Sequence, residues 1–158
     1  MFGALLLLFA QSLFAVNESG NLNVGNGQYV SRATDITWTS GSISLNRGTL
    51  EIFGDFTINS GVNFNFNNNS TLIVHGDFTY SVGNFQLNSG QIRIYENFIL
   101  SQRAIEINNG SSLIVGGNIS TASTISINNG TINVEGGITS NNLEINNGST
   151  MSAGGDLE

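Results

Sequence analysis

The chain contains no cysteine, no proline and no lysine, and its only basic residues are four arginines. Without cysteine there is no disulfide framework, no thiolate zinc site and no thiol nucleophile. Four arginines against eleven acidic residues leave a net charge of −7. That balance repels phosphate backbones and anionic bilayer surfaces, so no nucleic acid is expected as a partner. Charge of either sign is scarce: 9% of the 158 residues, against about 25% in ordinary soluble domains. Helical periodicity is missing too, since no apolar run after Val16 follows 3.6-residue spacing. What the chain has instead is 24 asparagines, 20 glycines and a regularly placed 39% of hydrophobic residues.

Residues 1–16, MFGALLLLFAQSLFAV, are almost wholly apolar and rich in helix formers. The run from Phe2 to Val16 is shorter than the roughly 20 residues a spanning helix needs. It reads either as a secretory signal with a cleavage site near Leu13 to Ala15, or as a retained helix serving as anchor, cap or filament core. No basic residue precedes it. Residues 17–158 form the second unit, and a membrane is expected to be met only through residues 1–16, if they are retained.

That second unit is a repeat. One copy reads Ile43, Leu45, then Leu50, Ile52, then Phe56, Ile58. The next reads Phe64, Phe66, Leu72, Val74, Phe78, Tyr80, and the pattern continues through Phe85, Leu87, Ile92, Ile94, Phe98, Leu100 and beyond. A degenerate leading copy holds Leu22, Val24, Tyr29 or Val30, Ile36 and Trp38. Each apolar-x-apolar pair is a short strand with both side chains on one face. Corresponding positions Ile52, Val74, Ile94, Val115, Val134 and Ala153 lie 19 to 22 residues apart. Three strands per copy at this period predict an all-β chain: a single-stranded parallel β-solenoid, triangular, of about seven coils. Phe56, Phe78 and Phe98 should stack inside it as an aromatic column.

The corners carry their own repeat. Asn46, Asn67, Asn88, Asn108, Asn128 and Asn146 each follow the first apolar pair of a copy, with Gly or Ser shortly after. Asn and Gly tolerate the left-handed backbone of a tight corner, and stacked asparagines can hydrogen-bond from coil to coil as a ladder. Asn108→Ala is accordingly expected to cost about 1–3 kcal/mol through unpaired buried groups. A second corner repeats as Gly54-Asp55, Gly76-Asp77, Glu96-Asn97, Gly117-Asn118, Gly136-Gly137 and Gly155-Asp156.

Phrases such as INNGSSLIVGGNIS, INNGTINVEGGITS and INNGSTMSAGGDLE resemble the coils of filamentous-haemagglutinin-type adhesins and autotransporter passengers. The resemblance covers residues about 36 to 158. It implies a right-handed β-helix at an extracellular or cell-surface location, adhering or holding other modules outward. This chain is very short for such an adhesin and shows no secretion domain. A second likeness is to bactofilins, small β-helices that polymerise end to end, although their coils lack this Asn-rich corner.

Chemistry-bearing residues are dispersed. Asp55, Asp77 and Asp156 share a corner with Asn97 and Asn118, which sets calcium binding against a solvated turn column; the column is the expectation. Glu51, Glu106, Glu135 and Glu144 are scattered on outward positions with Arg32, Arg47, Arg93 and Arg103, and form no acid–base pair of the kind a glycosidase needs. The lone His75 reads as a surface residue. Outward positions Ser44, Asn65, Gln86, Glu106, Ser126 and Glu144 are too irregular for an ice-binding array. Asn-x-Ser/Thr occurs at Asn17, Asn68, Asn69, Asn109, Asn118, Asn129 and Asn147, acceptor positions for glycans in an exported protein. No enzyme, metal or cofactor is expected.

The sixth copy stops at Leu157-Glu158 with its last strand incomplete and no charged cap. An uncovered coil leaves unpaired backbone groups and an apolar cross-section. The expectation is a non-enzymatic structural subunit whose partner is itself, stacked head to tail into a surface filament. The alternative is a fragment of a larger adhesin passenger that binds surface glycans.

Overall fold

In the computed structural model, residues 15–146 and 148–158 are described. The chain winds as a parallel β-solenoid of about seven turns. The first coil holds β1 (Val16–Val24) and β2 (Tyr29–Arg32), and the second holds β3 (Ile36–Asn46) and β4 (Thr49–Ile52). Three strands per coil follow: β5 (Phe56–Ile58), β6 (Val62–Asn67) and β7 (Ser70–Val74), then β8 (Phe78–Tyr80), β9 (Phe85–Leu87) and β10 (Gly90–Ile94). The fifth coil is β11 (Phe98–Leu100), β12 (Ile105–Asn108) and β13 (Ser112–Val115). The sixth is β14 (Ile119–Thr121), β15 (Thr124–Asn128) and β16 (Thr131–Val134), and the seventh β17 (Ile138–Thr139), β18 (Asn142–Ile145) and β19 (Thr150–Ala153). The apolar segment called helical from sequence falls outside the described residues up to residue 14, while Val16 already opens β1.

Register follows the repeat. On one face Leu50 pairs with Leu72, Leu72 with Ile92, Ile92 with Leu113, and Leu113 with Ile132, so each residue lies beside its equivalent one coil on. Val30, not Tyr29, takes the core place in the leading copy, because Val30 pairs with Leu50 while Tyr29 pairs with Thr49 and points outward. Strand alternation thereby sends every apolar-x-apolar pair inward. Leu72, Val74, Ile105, Ile107, Ile125 and Ile127 are completely buried. Phe56, Phe78 and Phe98 form the aromatic column, with ring centroids 5.4 and 5.1 Å apart and rings within 10° of parallel.

Two faces run unbroken through the stack, as β5-β8-β11-β14-β17 and as β4-β7-β10-β13-β16-β19. The third face is in two pieces. Its upper part is built from the C-terminal halves of β1 and β3 with β6, and its lower part is β9-β12-β15-β18. Among the described residues β6 and β9 form no ladder.

Candidate functional site

The corner between the β4-series face and the β5-series face is the most regular feature of the surface. Asp55 donates its backbone N–H to Oδ1 of Asp35 at 3.0 Å, and Asp77 donates to Asp55 at 2.8 Å. Asn97 then donates to Asp77 at 2.8 Å, Asn118 to Asn97 at 2.9 Å, and Gly137 to Asn118 at 2.8 Å. Each side chain in turn caps the amide of its successor, one coil further on. The preceding glycine makes room: a Cβ at Gly54 or Gly76 would collide with the Oδ1 of the Asx one coil before. The column of oxygens expected from sequence runs from Asp35 to Asn118, with one oxygen per residue committed to backbone, and stops at Gly137, which has no side chain, so the exposed Asp156 stands apart from it. Calcium needs six to eight free oxygen ligands, and no group of three or more acidic, His or Cys side chains that could hold a metal occurs among the described residues.

The asparagine corner is built differently from the expected ladder. Of the six residues, Asn88 and Asn108 are joined side chain to side chain, Nδ2 of Asn108 donating to Oδ1 of Asn88 at 3.0 Å. Asn46 accepts instead from Asn68, at 2.9 Å. Asn46, Asn67, Asn88, Asn128 and Asn146 are exposed and Asn108 is half-exposed, so the buried cost expected for Asn108→Ala has no buried group to act on. Left-handed backbone falls one position later, at Arg47 (φ 59°), Asn68 (53°), Asn109 (54°) and Asn129 (54°). The first Asn ends a strand and is extended; the residue after it turns. Serine hydroxyls hold these corners. Ser70 Oγ accepts the Arg47 N–H at 2.9 Å and donates to the Asn67 carbonyl, and Ser149 does the same for Asn129 and Ile127.

Sequence reasoning missed a side-chain network on the outer surface. Glu51 accepts the Tyr29 hydroxyl on Oε2 and contacts His75 Nε2 through Oε1 at 2.7 Å, spanning three coils. The Tyr29 bond, then His75, holds the Glu51 carboxyl below its usual range, and the same bond raises the Tyr29 phenol. His75 is stacked between Phe53 (4.8 Å) and Tyr95 (4.7 Å), and Arg93 lies over the Tyr95 ring at 4.8 Å. Register would have revealed it, since Phe53, His75 and Tyr95 each follow the β4-series strand pair at the same offset. Phe53 and Tyr95 are half-exposed.

The remaining candidates stay apart. Arg32 pairs with Glu18 at 2.6 Å, Glu106 accepts from Gln86 at 2.9 Å, and Glu144 accepts from Asn142 at 2.9 Å. Glu135 is exposed, and the Arg103 carbonyl accepts from Thr121. One outward column is more regular than the positions weighed from sequence: Thr37, Thr57 and Thr79 align, followed by Ile99, Ser120 and Thr139. Among the glycan-acceptor positions, Asn17, Asn68, Asn69, Asn109 and Asn129 are exposed. Asn118 is exposed but its Oδ1 carries the Gly137 amide. Asn147 lies outside the described residues.

The seventh coil differs from those above it. Ile145 is 49% exposed, whereas its register partner Ile127 is fully buried. Leu157 is 55% exposed and bridges Ile138, which is 2% exposed. Ile138, Leu143 and Leu157 with Ser140 to Asn142 line a cleft of about 290 Å³ that opens the core to solvent. Compared with protein-family models, curated proteins and solved structures, the chain matches none.

Proposed function

We propose that the protein is a non-enzymatic extracellular structural solenoid whose coils serve as a template for further coils, a second copy docking end to end to build a filament. The observation that carries this reading is the face of the seventh coil. Ile145 stands exposed where the six preceding coils bury the equivalent residue, and one edge each of β18 and β19 is unpaired among the described residues, while that of β17 is already met by residues 156–158. Such an edge accepts another parallel strand in register, and a heterologous contact of this kind propagates as an open assembly. An exported setting is supported by the absence of cysteine, the low charge and the apolar start. The structural role is supported by the use to which polar side chains are put, since the Asp and Asn columns bind backbone.

The test is electron microscopy and sedimentation of the full chain at micromolar concentration. Fibres with an axial repeat near 34 Å, seven coils at about 4.8 Å each, are expected. Discrete short rods at all concentrations would refute end-to-end assembly.

A further inference from the structure

The interruption of the third face is local. The coil of β6 and the coil of β9 are fully paired on their other two faces, β5 with β8 and β7 with β10. Only β6 and β9 part. Bulk beneath them explains it: Phe64 meets Tyr80 edge-on at 5.9 Å, and Tyr80 meets Phe85 edge-on at 5.1 Å. Further down, the same face places the leaner Ile105, Ile107, Ile125 and Ile127 inward, and its ladder closes.

Parting leaves a cleft of about 160 Å³, room for roughly five waters at about 30 Å³ each. Its walls are Asn65, Asn67, Asn84, Gln86 and Asn88, with Phe64, Phe66 and Tyr80, and no carboxylate, histidine or arginine lines it. Strand-edge amides and carbonyls that would otherwise join β6 to β9 flank it. Tyr80 supplies an independent observation. It is only 4% exposed, yet among the described residues its hydroxyl makes no hydrogen bond and is not sealed from solvent. Solvent reaches this hydroxyl, and it belongs to a residue that lines the cleft.

We infer that this cleft binds one neutral sugar ring. Amides and strand edges offer donors and acceptors in alternation, which suits hydroxyl groups that both donate and accept. The accessible lining is almost wholly polar and uncharged, which selects against ionised ligands and against apolar ones. A peptide strand is a poorer occupant, because β9 is three residues long and gives too short an edge for strand addition. The site lies on the flank of the rod and is independent of end-to-end stacking.

Saturation-transfer NMR of the full chain with methyl α-D-glucopyranoside, galactopyranoside and mannopyranoside tests this whether the chain is single or stacked. Saturable binding of at least one is expected, weaker for the corresponding uronic acid. Tyr80→Phe should weaken it about fivefold, the loss of one neutral hydrogen bond, with an unchanged thermal midpoint. Gln86→Ala, at an exposed position, should weaken it as well. No saturable transfer from any of the three, equal affinity in Tyr80→Phe, or tighter binding of the uronic acid would overturn the assignment.

Discussion

Arg47 sits at φ 59°, where its Cβ crowds the backbone at a cost of roughly 1–2 kcal/mol. At the same corner of other coils the left-handed residue is an asparagine, Asn68, Asn109 or Asn129, which relieves that cost locally. Arg47→Asn should therefore stabilise the fold by about 0.5–1 kcal/mol, read as a rise of roughly 1–4 °C in the thermal midpoint. Asp77 is the converse case. Its Oδ1 accepts both the backbone and the side-chain N–H of Asn97, each at 2.8 Å. Asp77→Ala should cost about 1–3 kcal/mol, whereas Asp77→Asn keeps the acceptor and should leave the midpoint near wild type. Equal losses in both variants would mean that charge, not the ladder, is what matters. Tyr80 reports on pH. Burial raises its phenol above the usual 10.0, so the fold favours the neutral form. The associated stability is complete below pH about 10 and is lost as pH climbs through the raised folded value. Denaturation midpoints across the alkaline range should fall less in Tyr80→Phe.

At the scale of elements, strands of two to six residues dominate the later coils, too short to persist alone. Their stability comes from columns that run perpendicular to the chain. Phe78 lies between Phe56 and Phe98 in one such column and meets Phe85 edge-on at 6.2 Å. Phe78→Ala should cost about 3–5 kcal/mol, measured by denaturant unfolding, and it should loosen the coils above and below together. A local effect confined to β8 would contradict a shared column. The strand β3 spans two faces, as does β1, with a register irregularity between Glu18 and Ser19, so the leading copy, degenerate in sequence, is read as face-segments joined in extended runs.

The whole molecule is a stack in which each coil rests on its neighbours, so its ends are where stability and assembly meet. Ile145 projects from the last coil, 49% exposed. Ile145→Glu should leave the single rod folded, because its side chain is already half in water, while placing a charge in any end-to-end contact. Sedimentation of this variant is expected to show rods at concentrations where the parent chain forms fibres. Identical assembly in both would move the contact elsewhere.

Period two within each strand and a 19- to 22-residue beat between strands are one-dimensional patterns, so the coils, their register and the phenylalanine column could be read directly from residues such as Leu72, Ile92 and Leu113. The Gly–Asx corner was also visible as a repeat, because a Cβ at Gly54 or Gly76 would collide with the Asp side chain of the coil before, although Glu96 holds the equivalent place beside Asn97. Side-chain partners depend on direction in space, and these the tertiary structure decided. Asn46 and Asn128 read as ladder members, but both are exposed where the backbone turns, and Asn46 bonds to Asn68 rather than to Asn67, while the continuous coil-to-coil column runs through Asp77, Asn97 and Asn118. Glu51 and His75 lie 24 residues apart and meet only because one coil sits on another. The gap between β6 and β9 has no mark in the repeat, since Phe64, Tyr80 and Phe85 each satisfy the apolar pattern. It arises from their combined volume at one level of the stack, a quantity that exists only once the chain is packed.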